Sequence, residues 1–173
     1  MILVLIGYMA SGKSTFGKKI AKKVNYDFLD LDNFIEDKEK MSVSRIFKSK
    51  GEIYFRKKET EYLEELLNTK DNVVLSLGGG TPCFKNNMAL ILACNNAKSV
   101  YLKASISKLV TNLGKCENKR PLVAHIKTVD ALTEFVAKHL FERTPYYSES
   151  EIQIVTDNKT KEEVVDEIIL KLF

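Results

Sequence analysis

Residues 2–15, ILVLIGYMASGKST, constrain this chain more tightly than any other stretch. A five-residue apolar run, Ile2-Leu3-Val4-Leu5-Ile6, leads into Gly7 and, after four intervening residues, into Gly12-Lys13-Ser14-Thr15. Phe16, Ile20, Ala21 and Val24 then recur at helical spacing. The pattern G-x-x-x-x-G-K-S therefore stands between a strand signal and a helix signal, the context in which it carries a mechanism. Glycines let the backbone wrap tightly, so that successive N–H groups converge on phosphate oxygens. The helix that follows adds unpaired N–H groups and the positive end of its dipole. In such a loop Ala10, Ser11, Gly12, Lys13, Ser14 and Thr15 form the phosphate cradle. Lys13 reaches the β- and γ-phosphates, and the Ser14 hydroxyl ligates Mg²⁺. The expected ligand is a nucleoside triphosphate.

Past Asn25, Tyr26-Asp27-Phe28-Leu29 reads as a second strand ending in Asp30-Leu31-Asp32, with a helix from about residue 33 to 40 after it. Ser42 reads as the cap of a helix with Val43, Ile46 and Phe47 on its apolar side, broken at Gly51. A longer helix over about 52–68 turns Phe55, Tyr62, Leu63, Leu66 and Leu67 inward and carries Arg56 near its start. Val73-Val74-Leu75-Ser76-Leu77 is a buried-strand run that stops at Gly78-Gly79-Gly80, a triplet suited to close backbone approach. A helix over 85–94 and a strand at Ser99-Val100-Tyr101-Leu102 follow. Ser105 caps a helix to about Asn112. Residues 114–120 are polar, lysine-rich and turn-prone, which marks a mobile lid over about 112–124. An amphipathic helix near 128–146 presents Leu132, Phe135, Val136 and Leu140 on one face. A fifth strand, Ile152-Gln153-Ile154-Val155, precedes a capping-box pair, Thr160 and Glu163.

Strands alternating with helices imply an α/β three-layer sandwich: a five-stranded parallel sheet flanked by helices. Ligands in such sheets sit at the carboxyl ends of the strands. The phosphate loop, Asp30 with Asp32, and the triple glycine are thus expected to share one crevice. No repeat, low-complexity tract or linker divides the 173 residues, which fit one domain. A net charge of +4 suits anionic small substrates and is too mild to argue for nucleic acid. Three cysteines, Cys83, Cys94 and Cys116, lack metal-site spacing and read as reduced structural thiols; His125 and His139 read as structural or surface residues. With no signal-like segment and no apolar run long enough for a bilayer, a cytoplasmic protein with no membrane partner is expected.

Phosphoryl transfer needs an in-line acceptor and neutralised phosphate charge. A carboxylate beside the acceptor hydroxyl orients it and takes its proton. Arginines suit an anionic substrate or the developing phosphoryl charge. The residues therefore read as a small kinase of a small anionic alcohol. Singly, each has an ordinary reading as well: Asp32 as a helix cap, Asp30 as a solvated turn residue, Ser76 as a satisfied strand hydroxyl, and Arg56, Arg120 and Arg143 as surface cations.

As a set, the motifs resemble those of the shikimate kinase family. They are Gly7-Tyr8-Met9-Ala10-Ser11-Gly12-Lys13-Ser14-Thr15, Asp30-Leu31-Asp32, Phe55-Arg56-Lys57-Lys58-Glu59, Ser76-Leu77-Gly78-Gly79-Gly80, Arg120-Pro121-Leu122 and Arg143-Thr144-Pro145-Tyr146-Tyr147. The resemblance spans essentially the whole chain. It implies a P-loop fold like that of the nucleoside-monophosphate kinases, one kinase domain over 1–173, and a substrate-binding helical segment at about 32–60. It also implies Mg²⁺-dependent transfer from ATP to the shikimate 3-hydroxyl in aromatic amino acid biosynthesis, by a monomer. Lys13, Asp32 and Arg120 would be catalytic, with Asp32 as base and Arg120 reaching the ATP phosphates from the lid. Asp32, Arg56, Gly78, Gly79, Gly80 and Arg143 would hold shikimate, the two arginines clamping its carboxylate. Ser14, and through water Asp30 and Ser76, would hold the magnesium. Residues 156–158 would border adenine. The chain departs from the family at Asn112-Leu113-Gly114, where an adenine-packing arginine is common and Lys115 is the nearest substitute, and at Ala10-Ser11, where a glycine is frequent. A related small-molecule kinase acting on gluconate or a nucleoside monophosphate, or a nucleotide-binding module without catalysis, are the competing readings.

Overall fold

A computed structural model describes residues 1–115 and 122–173; Cys116, Arg120 and Pro121 lie outside the described residues. Strand β1, Ile2–Ile6, is wholly buried and forms the centre of a five-stranded sheet. The other strands are β2, Asp27–Asp30; β3, Val73–Ser76; β4, Ala97–Lys103; and β5, Ile152–Val155. Their spatial order is β2-β3-β1-β4-β5, and every neighbouring pair is parallel. A strand flanked on both sides and covered on both faces has to be apolar throughout, which is why β1 carries no alternation.

Alternate residues of β1 still serve opposite cores. Ile2, Val4 and Ile6 pack with Leu31, Ile35, Ile46, Leu63 and Leu66 on one face. Leu3 and Leu5 pack with Phe16, Ile20, Val164 and Ile168 on the other. The second face is covered by α1, Lys13–Val24, and α8, Lys161–Leu172; Thr160 and Glu163 close the expected capping box at the start of α8. The first face is covered by α2, Leu31–Glu39; α3, Val43–Lys50; α4, Glu52–Thr69; α5, Asn87–Ala93; α6, Ile106–Gly114; and α7, Val129–Ser148. These are the three layers expected from the sequence.

Three local outcomes depart from the expectations. Helix α2 starts at Leu31 rather than residue 33, because Asp30 supplies the cap: its carboxylate accepts from the Asp32 N–H at 3.1 Å. Asp32 therefore stands in the first helical turn. Helix α6 runs on to Gly114, past the expected end at about Asn112, with a regular cap at Ser105 and with the Asn112 amide donating to the Ala10 carbonyl at 2.9 Å. Helix α7 runs through Pro145 to Ser148. Among the described residues no helix is long and apolar enough to cross a membrane.

Helices α2, α3 and α4 are tied together by Glu39. Its carboxylate accepts from Tyr54 at 2.7 Å, Tyr62 at 2.8 Å and Lys50 at 3.1 Å, and its side chain is 8% exposed. The two phenol hydrogen bonds hold the Glu39 carboxyl down at about 2, with Lys50 assisting against the opposing effect of burial. A depressed carboxyl stabilises the fold above its unfolded value of about 4.3 and ceases to do so as pH falls through its folded value. Glu39→Gln is expected to be less stable at pH 7 by about 2 kcal/mol and to lose less stability than the native chain between about pH 5 and 2. Urea unfolding across that range measures both.

Candidate active site

The parallel register sets the site. Leu5 pairs with Ser76, and Ser76 with Asp30, so β1, β3 and β2 end at one level. Their continuations meet in an open crevice of about 520 Å³, lined among others by residues 10–15, Asp30, Asp32, Ser76, Gly78 and Gly79.

At one end is the phosphate loop. Lys13 is 8% exposed, and its ammonium donates to the Gly7 carbonyl at 2.8 Å and the Tyr8 carbonyl at 3.0 Å. Ser14 donates to Asp30 Oδ2 at 2.9 Å. Ala10 adopts φ 61°, a left-handed conformation that glycine takes up freely; alanine tolerates it at a cost of about 1 kcal/mol. Ser11 is buried with its hydroxyl lacking a partner among the described residues. Lys108, Lys115, Lys159 and Lys161 also line the crevice. Lys108 donates to the Thr156 carbonyl, and Asp157 accepts from the Ser105 N–H at 2.9 Å.

The triple glycine, with Gly79 packed against Gly7 and Met9 of the phosphate loop, provides space rather than special dihedrals, since none of the three has positive φ. A Cβ on Gly78 would stand 3.1 Å from Asp32 Oδ1, one on Gly79 3.3 Å from an Arg143 nitrogen, and one on Gly80 2.5 Å from an Arg56 nitrogen. The three backbone units thus carry the carboxylate and both guanidiniums side by side. Arg143 comes from α7 and also lies over the Tyr8 ring, 5.9 Å from its centroid. Tyr147, one turn on, donates to the Gly79 carbonyl at 2.5 Å; burial holds its hydroxyl well above the usual phenol range, with Arg143 opposing. Cys83, half-buried nearby, has its thiol pushed up to about 11 by burial, against the pull of Arg143 and Arg56, so it is no nucleophile at neutral pH.

Glu59 was not singled out from the sequence as a site residue. It is fully buried, accepts from Arg56 at 2.7 Å and from Thr81 at 2.6 Å, and so fixes the guanidinium against the glycines. Thr81 in turn bonds Asn87, whose amide donates to its carbonyl at 2.8 Å. The F-R-x-x-E run held the signal: Arg56 and Glu59 are three apart on one helix, and a carboxylate there is the obvious countercharge. The lysines at 108, 159 and 161 gave none, because their convergence is a property of the sheet topology. Arg120 lies outside the described residues.

A family model described as Shikimate kinase matches residues 9–173. The chain belongs to the shikimate kinase family. It is 47% identical to a shikimate kinase of Flavobacterium psychrophilum over 171 residues, 99% of this chain and 98% of that one. The crystal structure of the shikimate kinase from Bacteroides thetaiotaomicron superposes with a TM-score of 0.91 at 33% identity, covering 99% of this chain and 98% of that one. A shikimate kinase from Acinetobacter baumannii in complex with shikimate gives a TM-score of 0.84 at 26% identity, covering 99% and 92%. The P-loop α/β architecture expected from the sequence is the architecture of this family.

Glu59→Ala leaves the Arg56 guanidinium and the Thr81 hydroxyl without their buried partner, and is expected to destabilise the fold by about 3 kcal/mol. Glu59→Gln, which keeps an acceptor but no charge, falls between. Thermal denaturation checks the order; a loss below about 1 kcal/mol for the alanine variant would mean that other groups hold Arg56.

Proposed function

We propose that this protein transfers the γ-phosphoryl group of ATP to the 3-hydroxyl of shikimate, giving 3-phosphoshikimate and ADP for aromatic amino acid biosynthesis. The observation that carries the reading is the row Asp32, Arg143 and Arg56 along Gly78–Gly79–Gly80, beside a phosphate loop whose lysine is held by the loop's own carbonyls. A carboxylate beside two guanidiniums suits a substrate with hydroxyls at one end and a carboxylate at the other. Membership of the family over residues 9–173 supports the same substrate and leaves gluconate, nucleoside monophosphates and a catalytically silent module without an observation in their favour.

In this reading, Arg56 and Arg143 bind the carboxylate of the acid, with backbone N–H groups of residues 78–80 alongside. Asp32 holds the acceptor hydroxyl and takes its proton as the oxygen attacks phosphorus. Lys13 turns from the loop carbonyls toward the β- and γ-phosphates, while the N–H groups of residues 10–15 cradle them. Arg120, from the lid, meets the charge that develops on the transferred group. The donor set fits magnesium: Ser14 Oγ and Asp30 lie 2.9 Å apart, and Ser76 pairs with Asp30 across the strands, all hard oxygens. Ser14 would bind the ion directly, and Asp30 and Ser76 would hold its waters; the ion supplies charge neutralisation on the phosphates. Adenine would lie toward residues 156–158 and the lysine-lined wall. A monomer in the reducing cytoplasm is the state proposed here, and the free thiols of Cys83 and Cys94 suit that compartment.

Coupled ADP release with Mg²⁺-ATP and a panel of shikimate, gluconate and nucleoside monophosphates tests the reading; no turnover with shikimate would sink it. Asp32→Asn is expected to lower kcat by about 10²–10⁴ while ATP still binds, as read by calorimetry. Near-full turnover would remove Asp32 from the role of base. Arg143→Ala is expected to raise the KM for shikimate by roughly two orders of magnitude and to leave that for ATP far less affected. Equal changes in both would contradict the clamp.

A further inference from the structure

One residue of the phosphate loop touches both halves of the site. Tyr8 directly follows Gly7 and is 1% exposed. Its carbonyl accepts from the Lys13 ammonium at 3.0 Å, and its ring lies beneath the Arg143 guanidinium. Its hydroxyl is bonded to His139 Nδ1 at 3.0 Å, with the two rings edge to face at 5.6 Å and 86°. His139 stands one turn before Arg143 on α7 and is backed one turn earlier by Phe135, 5.2 Å between ring centroids. The face of α7 that meets the site is thus the series Phe135, His139, Arg143, Tyr147, four residues apart.

Burial favours the neutral form of both partners of the Tyr8–His139 bond. Burial pushes the Tyr8 hydroxyl up to about 12 against the pull of Arg143, and burial together with Arg143 pushes the His139 imidazole below its ordinary value. A neutral phenol and a neutral imidazole make one directional bond, and it restrains rotation of the Tyr8 ring about Cα–Cβ. A guanidinium over an aromatic face is held electrostatically only while that face is presented to it.

Resting on the reading of Arg143 as a carboxylate-binding group, we propose that Tyr8 and His139 are positioning residues for it: their bond fixes the ring on which the guanidinium lies, and so sets the distance between the carboxylate clamp and the phosphate loop. The effect is on affinity for the acid. The nucleotide is held by the loop backbone and Lys13, which the bond does not touch. The sequence alone reads His139 as a bystander, because its partner is 131 residues away.

Steady-state kinetics of the full chain with shikimate and Mg²⁺-ATP test the proposal. Tyr8→Phe keeps the ring and removes the hydroxyl; it is expected to raise the KM for shikimate about three- to ten-fold, the size of one lost neutral hydrogen bond, and that for ATP by less than about two-fold. His139→Ala should do the same, and the double variant should be no worse than either. His139→Asn, which keeps an acceptor near the position of Nδ1, should return the value toward that of the native enzyme. In an Arg143→Ala background, Tyr8→Phe should add nothing. An unchanged shikimate KM in Tyr8→Phe, effects that multiply in the double variant, or equal rises for both substrates would overturn the proposal. Should His139→Ala not fold, Tyr8→Phe and its combination with Arg143→Ala decide alone. Native enzyme that turns over shikimate beside indifferent variants defeats only this proposal; native enzyme without such turnover defeats the functional reading and this one with it.

Discussion

The structure depends on the register of three parallel strands. Asp30, Ser76 and Leu5 form one row across β2, β3 and β1, so the three loops that follow emerge at one edge and at one height. A slip of one residue in β2 would turn Leu29 outward and carry Asp30 away from Ser14, because side chains alternate between faces. That register is enforced by burial. β1 throughout and β3 up to Ser76 are apolar on both faces, and each face meets its own core cluster, so a shifted register would move side chains out of the core they fill. The site inherits its precision from the sheet.

Charge is the second constraint. Arg56 and Arg143 come together on consecutive glycines, and cations so close repel one another. Where the chain needs a guanidinium fixed, it places a fully buried carboxylate behind it and satisfies that carboxylate again from Thr81. A buried ion pair gives weak net stabilisation but a defined geometry, and here the geometry is what the substrate would use. Arg143 is held differently, over an aromatic ring and beside Tyr147. Of the two arginines, then, one is fixed by charge and the other by a surface.

Much of this was legible in the sequence. The apolar run, the glycine spacing and the helical period after Lys13 announce strand, loop and helix together, and Ser42, Ser105 and Thr160 each cap the helix expected of them. Capping is local chemistry and is visible locally. The start of α2 was misread because Asp30 and Asp32 are both good caps, and only the strand end decides between them. The triple glycine was legible as close approach, but its neighbours are the chain's own Asp32, Arg56 and Arg143, brought in from three separate helices. The Glu59 network and the Tyr8–His139 bond depend on tertiary packing, to which residue spacing gives no key.

The position of Lys13 bears on how the site binds phosphate at all. An ammonium buried to 8% exposure has been stripped of much of its water before any ligand arrives. Two loop carbonyls replace that water, at 2.8 and 3.0 Å. The desolvation that would otherwise oppose binding is therefore met in folding, by bonds the loop makes with itself. An incoming phosphate would compete with these carbonyl dipoles for the ammonium, and a full negative charge is the stronger partner. The same two carbonyls hold the loop in its wrapped form, and one of them belongs to Tyr8. In the proposed reading, Tyr8 would thus meet Lys13 through its carbonyl and Arg143 through its ring.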